Sequence, residues 1–341
     1  MKCWARTARR ANLRAGPHLL LLALLTGGAA AQETTLRTQS NVVLVPALVK
    51  NQSGEIVYGL HARDFVVEDD GVEQSVRLDE APESQPISLV IAIQRGRRAN
   101  YEFPRIQGLS SMLDPIFSQG LARVALVEFD SQVEITRDFT KDSSLIKADL
   151  QNLQPGNGGA VILDAVDYSV NLLKKEPEER QRVLLLISET RNHGSVLGSK
   201  LDAIVAALGN SNTAVYTLAF SPALSNILDT GRGNNINNEM HQGVDFLDLL
   251  NRTRQAMRKN VPRTIAAMTG GEYELFETRK HFEIRMNDFT NHLHSRYVLS
   301  IEPKNPHPGM HQIRVRLKDP GNTTVLARTS YWAEGVDASA K

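Results

Sequence analysis

The sequence predicts an α/β protein. Its core is a wound, mostly parallel sheet with one antiparallel edge strand and helices on both faces, beside a small β module from the N- and C-terminal segments. Three observations predict this. Nearly continuous apolar runs of strand length recur at residues 87–93, 122–129, 183–187 and 214–220, as expected of strands buried on both faces. Helix-period patterns near 102–118, 160–174 and 198–208 separate those runs, and such alternation winds a sheet between two helical layers. Short alternating segments bounded by turn residues lie before and after this region, and neither group is large enough to bury a core alone.

Composition agrees with a folded chain. Of 341 residues, 41% are hydrophobic and 23% charged, which argues against disordered and fibrous classes. The first 31 residues read as a cleaved export signal. Lys2, Arg6, Arg9, Arg10 and Arg14 precede the apolar run 19–25, and Ala29, Ala30 and Ala31 offer a small-residue cleavage site. That run is short of the roughly 20 residues that span a bilayer, so no membrane span is expected in the mature chain. With the segment go five cations and no carboxylate, so the formal charge moves from +1 to −4, and no nucleic-acid partner is expected. The single cysteine, Cys3, leaves too, which excludes thiol, redox and cysteine-zinc chemistry. The expected location is periplasmic or extracellular.

Residues 32–82 form an N-terminal β segment. Alternating runs at 42–45, 56–58, 65–67 and 75–78 are separated by the turn clusters 51–54 and 69–71. A proline-bearing linker at 80–86 leads into the α/β domain, 83–294. There, 132–139 follows Asp130 and Ser131 so closely that it pairs antiparallel at the sheet edge. After Phe220 a long irregular stretch reads as a surface loop. A helix over about 244–268, a short strand at 272–276 and a helix over about 279–293 complete this layer. The pattern Val161, Asp164, Ala165, Tyr168 and Leu172 marks the face of the 160–174 helix that packs on the sheet. Strands at 297–302, 312–318 and 324–332 make a C-terminal β segment, 295–335, expected to pack with the N-terminal one.

This order of elements resembles the von Willebrand factor type A (VWA) domain family. The pieces Gly59-Leu60-(x)3-Asp64 through Gly71, Gly158-Gly159-(x)3-Leu163-Asp164-Ala165, Thr269-Gly270-Gly271 and Arg296-Tyr297-Val298-Leu299 resemble the acidobacterial-type VWFA-related proteins most closely. In the family, a divalent ion at the carboxyl ends of the strands is held by Asp-x-Ser-x-Ser, a Thr from a second loop and an Asp from a third. The resemblance puts Gln94 at the first Asp position, Gly96 and Arg98 at the two Ser positions, Ala160 at the Thr position and Glu189 at the third-loop Asp position. Only Glu189 keeps an anionic oxygen, so the metal site reads as degenerate and neither metal nor cofactor is expected.

Gln94, Arg95, Gly96, Arg97, Arg98, Ala160 and Glu189 are therefore the candidate binding surface. The three arginines read as a solvated loop, in preference to a pairing of Arg98 with Glu189, and could take an acidic group of a protein partner. His193 and Glu189 suggest an acid–base pair, but no positioned nucleophile accompanies them. His292 and His294 read as surface or capping residues. The expected function is an exported, non-enzymatic interaction or scaffolding protein that binds without metal. The alternatives are a metal-dependent adhesion protein rearranged around Glu189 and a hydrolase using His193 and Glu189.

Overall fold

The computed structural model describes residues 42–79, 85–118, 120–194, 198–220, 246–304 and 307–334. The expected export signal, linker residues 80–84 and the irregular stretch 221–245 lie outside the described residues. The chain opens with β1 (Val43–Asn51), β2 (Phe65–Asp69), β3 (Val72–Glu73) and β4 (Val76–Asp79). There follow β5 (Ile87–Gln94), α1 (Leu109–Met112), α2 (Asp114–Ser118), β6 (Arg123–Phe129), β7 (Val133–Thr140), α3 (Ser143–Gln151) and α4 (Ile162–Leu173). Next come β8 (Gln181–Ser188), α5 (Gly198–Asn210), β9 (Thr213–Phe220), α6 (Phe246–Lys259), α7 (Val261–Thr269), β10 (Tyr273–Phe276) and α8 (Arg279–His292). β11 (Tyr297–Ile301), β12 (Gly309–Leu317), β13 (Thr323–Ala327) and β14 (Ser330–Ala333) close it.

The central sheet runs β10-β9-β8-β5-β6-β7. All its pairings are parallel except β6 with β7. Every residue of β5 is buried, because successive side chains feed opposite layers. Leu89, Ile91 and Ile93 join Leu113, Ile146, Phe282 and Met286 on one face. Val90 and Ala92 join Ile162, Val166, Leu208 and Ile265 on the other. Each such fully buried Leu, Ile or Phe contributes about 1.5–3 kcal/mol. β7 instead alternates half-buried and exposed positions, as an edge strand covered on one face does. Since β5 pairs with β6 on one side and β8 on the other, the crevice past its carboxyl end lies where strand order reverses, where ligands bind in wound sheets.

The terminal strands interleave. One sheet runs β13-β1-β11-β4 and a second β14-β12-β2-β3, so strands from both ends of the chain share each sheet. Val45, Val49, Phe65, Val67, Leu299 and Ile313 form their common core. Buried Glu272 ties this module to the α/β layer. It takes Lys50 Nζ at 2.8 Å, Arg296 Nη2 at 3.0 Å and His292 Nδ1 at 3.0 Å.

Several local expectations are corrected. The 102–118 segment turns α-helical only after Gly108, whose φ of +90° caps the start of α1, and a turn at Leu113 separates α1 from α2. The 244–268 helix is interrupted at Asn260, whose side chain accepts from Arg263 N (3.0 Å) to cap α7, with Pro262 in its first turn. The 324–332 strand is two strands, with Arg328 and Thr329 between sheets. Within 56–58 only an isolated bridge from Ile56 to Lys50 forms. The buried face of α4 is Ile162, Leu163, Ala165, Val166, Ser169, Val170 and Leu173, with Tyr168 exposed. His292 is buried against Glu272, not at the surface.

Candidate functional site

Four loops converge past the carboxyl ends of β5, β6 and β8. Gln94, the last residue of β5, is 1% exposed and Glu189, just after β8, is 3% exposed. They bond each other twice. Gln94 Nε2 donates to Glu189 Oε1 at 3.0 Å, and Glu189 N donates to Gln94 Oε1 at 2.9 Å. The same Nε2 donates to Gly96 O at 3.2 Å. A neutral amide so placed satisfies a buried carboxylate and its backbone amide together.

Arg97 completes the pairing. Its Nε lies 2.9 Å from Glu189 Oε1, and its backbone takes the left-handed φ of +55°, a conformation that costs roughly 1–2 kcal/mol for a residue with a Cβ. The hydrogen bond from Arg97 N to Asn157 O (2.9 Å) and the ion pair hold it there. The alternative pairing of Arg98 with Glu189 thus belongs to its neighbour Arg97, while Arg97 and Arg98 both remain exposed. The solvated-loop reading fails for Arg95. Its guanidinium meets Glu128 at 3.2 Å, Asp130 at 3.4 Å and Glu134 at 3.1 Å. Arg97 and Arg98 keep the expected solvent-facing character, and Arg97 also pairs with Glu189.

These neighbours tune one another. Burial pushes the Glu128 carboxyl above the ordinary range, more than the Thr136 hydrogen bond and Arg95 offset. For Asp130 burial also acts upward, but the backbone amides of Gln132 and Asn157, with Arg95, outweigh it and hold the carboxyl low. Asp130 therefore stays anionic while fixing two loops: Oδ1 accepts from Gln132 N (3.1 Å) and Oδ2 from Asn157 N (3.2 Å).

The loops are interlocked at glycines. A Cβ on Gly96 would lie 2.0 Å from Gly159 O, 2.7 Å from Asn157 O and 2.7 Å from Asp130 Cβ. One on Gly159 would lie 2.4 Å from the Ser131 backbone. Gly156 N donates to Arg95 O at 2.8 Å, and Asn157 Oδ1 accepts from Ser131 N at 3.0 Å. Ala160 is fully buried and its carbonyl accepts from His193 N at 2.8 Å. All seven candidate positions, from Gln94 to Glu189, thus lie in or beside this cluster.

Residues 97–191 match the family model for the von Willebrand factor type A domain. Residues 97–191 are thus VWA-like in sequence. The match covers less than half of the chain and spans the second half of the first loop through Glu189. No curated protein matches the chain in sequence. Similar solved structures include an aerotolerance-related membrane protein from Bacteroides fragilis, 16% identical, over 60% of this chain and 99% of that one, at TM-score 0.39. The vWF domain of the type V pili tip protein Mfa5 from Porphyromonas gingivalis is 11% identical over 61% of this chain and 95% of that one, at TM-score 0.39. The pilus adhesin SpaC from Lactobacillus rhamnosus GG is 11% identical over 84% of this chain and 48% of that one, at TM-score 0.41.

The residues at the VWA metal positions do not fit a divalent ion. Magnesium requires near-octahedral hard oxygens at about 2.0–2.1 Å. Here the first-loop carboxylate is an amide already bonded to Glu189. A serine cannot stand at Gly96, where the Gly159 carbonyl fills the space of a Cβ. Ala160 offers a buried methyl, and Glu189 Oε1 is held by Arg97 and Gln94. An acid–base pair is present in outline, with His193 Nε2 3.7 Å from Glu189 Oε2. The adjacent hydroxyl, Ser188, is buried and donates to Glu189 O at 2.9 Å, so it is not presented as a nucleophile.

Sequence reasoning missed Glu128, Asp130, Glu134 and Asn157. A signal existed for two of them. Asp130 follows β6 where wound sheets carry their site residues, and Glu134 stands on the exposed phase of an alternating edge strand. Nothing local in the sequence brings Asn157 to Ser131. Among the described residues, no helix is long and apolar enough to cross a membrane.

Proposed function

We propose that the VWA domain is the interaction module of an exported, non-enzymatic protein, and that it takes an acidic group of a protein partner without a divalent ion. The supporting observation is the charge placement at the carboxyl end of β5. Arg97 neutralises the buried Glu189, at 2.9 Å, while the neighbouring exposed Arg98 is not part of that pair. In a metal-dependent site the ion supplies the positive charge that receives a partner carboxylate. In this reading Arg98 supplies it, through a guanidinium whose fork matches a carboxylate. The interlocked glycines keep the loop rigid, so little order is lost on binding.

A synthetic peptide rich in aspartate and glutamate tests the reading by titration in EDTA, then in magnesium. Binding in EDTA that is undiminished relative to magnesium, and that falls at least about tenfold in Arg98→Glu, is the expected result. Failure of the peptide to bind, binding that requires magnesium, or binding that Arg98→Glu leaves intact would overturn it.

A further inference from the structure

Far from the VWA loops, the β module gathers two histidines and two aspartates from opposite ends of the chain. Asp69 ends β2, Asp70 begins the turn to β3, His311 lies on β12 beside β2, and His307 precedes β12. Asp70 takes the left-handed φ of +49°, a conformation that aspartate tolerates better than most residues. The turn carries its carboxylate back over β12, where Oδ1 accepts from Gln312 N at 2.8 Å. Its other oxygen, Oδ2, then faces two imidazoles: His311 Nδ1 at 2.8 Å and His307 Nε2 at 3.1 Å. Asp69 Oδ1 lies 3.2 Å from the same His311 Nδ1.

We infer that Asp70, His307 and His311 form a binding site for a divalent transition-metal ion of the zinc class. The tautomer of His311 is the first argument. Its Nε2 lies 2.7 Å from His307 O, and a carbonyl only accepts, so Nε2 carries hydrogen. Nδ1 of this fully buried ring then faces two carboxylates, and must hold either a proton or a metal ion.

Geometry is the second argument. Tetrahedral ligands about 2.0–2.1 Å from zinc lie about 3.3 Å from one another, and the closest donor pairs here are 2.8–3.2 Å apart. One ligand atom each from Asp70, His307 and His311 lies within 4.8 Å of the other two. The two imidazole rings stack, with centroids 3.9 Å apart and planes 19° from parallel, so the half-exposed His307 ring must turn out of the stack to point its lone pair at an ion shared with His311.

Outer contacts fit the same assignment. A ligating histidine characteristically donates its second ring N–H to a carbonyl, as His311 does, and ligating carboxylates are themselves hydrogen-bonded. Asp70 receives Gln312 N, and Asp69 Oδ2 receives the Tyr331 hydroxyl at 3.1 Å. Two imidazole nitrogens in a set of three favour zinc over the hard ions magnesium and calcium. His307 and Asp70 are partly exposed and give the ion a way in. The ion would staple β2 to β12, joining residues 237 apart (Asp70 and His307) in a chain whose single cysteine is Cys3.

The test uses the untagged chain, stripped with EDTA and titrated with zinc chloride, then with cobalt chloride as a visible reporter of geometry. The expected result is one equivalent of zinc, a rise in Tm, and the intense cobalt absorption of tetrahedral coordination. His307→Ala, whose side chain is half exposed, and Asp70→Asn each weaken zinc binding at least about tenfold. His281→Ala, an exposed histidine elsewhere, leaves it unchanged. Absence of zinc binding by the stripped chain, or binding undiminished in both site variants, would overturn the assignment.

Discussion

Gly96→Ala probes the loop interlock around the proposed interaction surface. The added methyl would stand 2.0 Å from Gly159 O and 2.7 Å from Asn157 O, both backbone atoms. Neither can rotate aside, so the 156–160 loop must retreat by more than an ångström to restore ordinary contact. Overpacking of this kind costs about 1–3 kcal/mol. Retreat also strains two backbone hydrogen bonds, Arg97 N to Asn157 O at 2.9 Å and Gly156 N to Arg95 O at 2.8 Å, each worth about 1 kcal/mol. The sum is about 3–5 kcal/mol, or roughly 6–20 °C in Tm at roughly 2–4 °C per kcal/mol for a domain of this size. Gly158→Ala is the internal control. Its Cβ would meet nothing within 4 Å and its φ is not left-handed, so a change within about 0.5 kcal/mol is expected. Thermal and urea unfolding of the three chains measure both. A Gly96→Ala chain that melts with the parent would refute the interlock.

Arg97→Met should destabilise the chain by roughly 1–3 kcal/mol, discounted because the guanidinium is about one-third exposed. Adding Glu189→Gln should recover part of that loss, and a double-mutant cycle by urea unfolding showing no coupling would contradict the pair. Acid should weaken the junction between the β module and the α/β layer. Burial raises Glu272, but the His292 hydrogen bond and the charges of Arg296 and Lys50 outweigh it and hold the carboxyl at about 2, against an ordinary 4.5. A depressed folded-state value contributes stability that is complete above about pH 5 and lost as pH falls from 4.5 toward 2. The amount is on the order of 3 kcal/mol, so the parent should lose more stability than Glu272→Gln between pH 6 and pH 3. Parallel pH profiles would exclude this role.

The fold was legible where physics is local and failed where it is not. Uninterrupted apolar runs located β5, β6, β8 and β9 because a strand buried on both faces has no polar phase. The proximity of Asp130 to the 132–139 run set the antiparallel edge. Helix ends were misplaced where one residue decides them, at Gly108 with its left-handed φ and at Asn260 with its capping side chain. At the candidate site, the resemblance named Gln94, Ala160 and Glu189, but not which arginine pairs with Glu189. That choice rests on the left-handed φ of Arg97, which the hydrogen bond to Asn157 O fixes from another loop. The Asp70–His307–His311 cluster escaped for the same reason: its members are 237 and 241 positions from Asp70 in the chain, and only the pairing of β2 with β12 unites them.

Isothermal titration of the purified chain with magnesium chloride, repeated on Glu189→Gln, tests the central claim of metal-free binding most directly. Magnesium is suited neither to the two-histidine cluster nor to a carboxylate already held by Arg97. The account predicts no saturable heat and no Tm shift in either chain. Saturable binding that raises the Tm of the parent, and disappears in Glu189→Gln, would show a live metal-dependent site and contradict it.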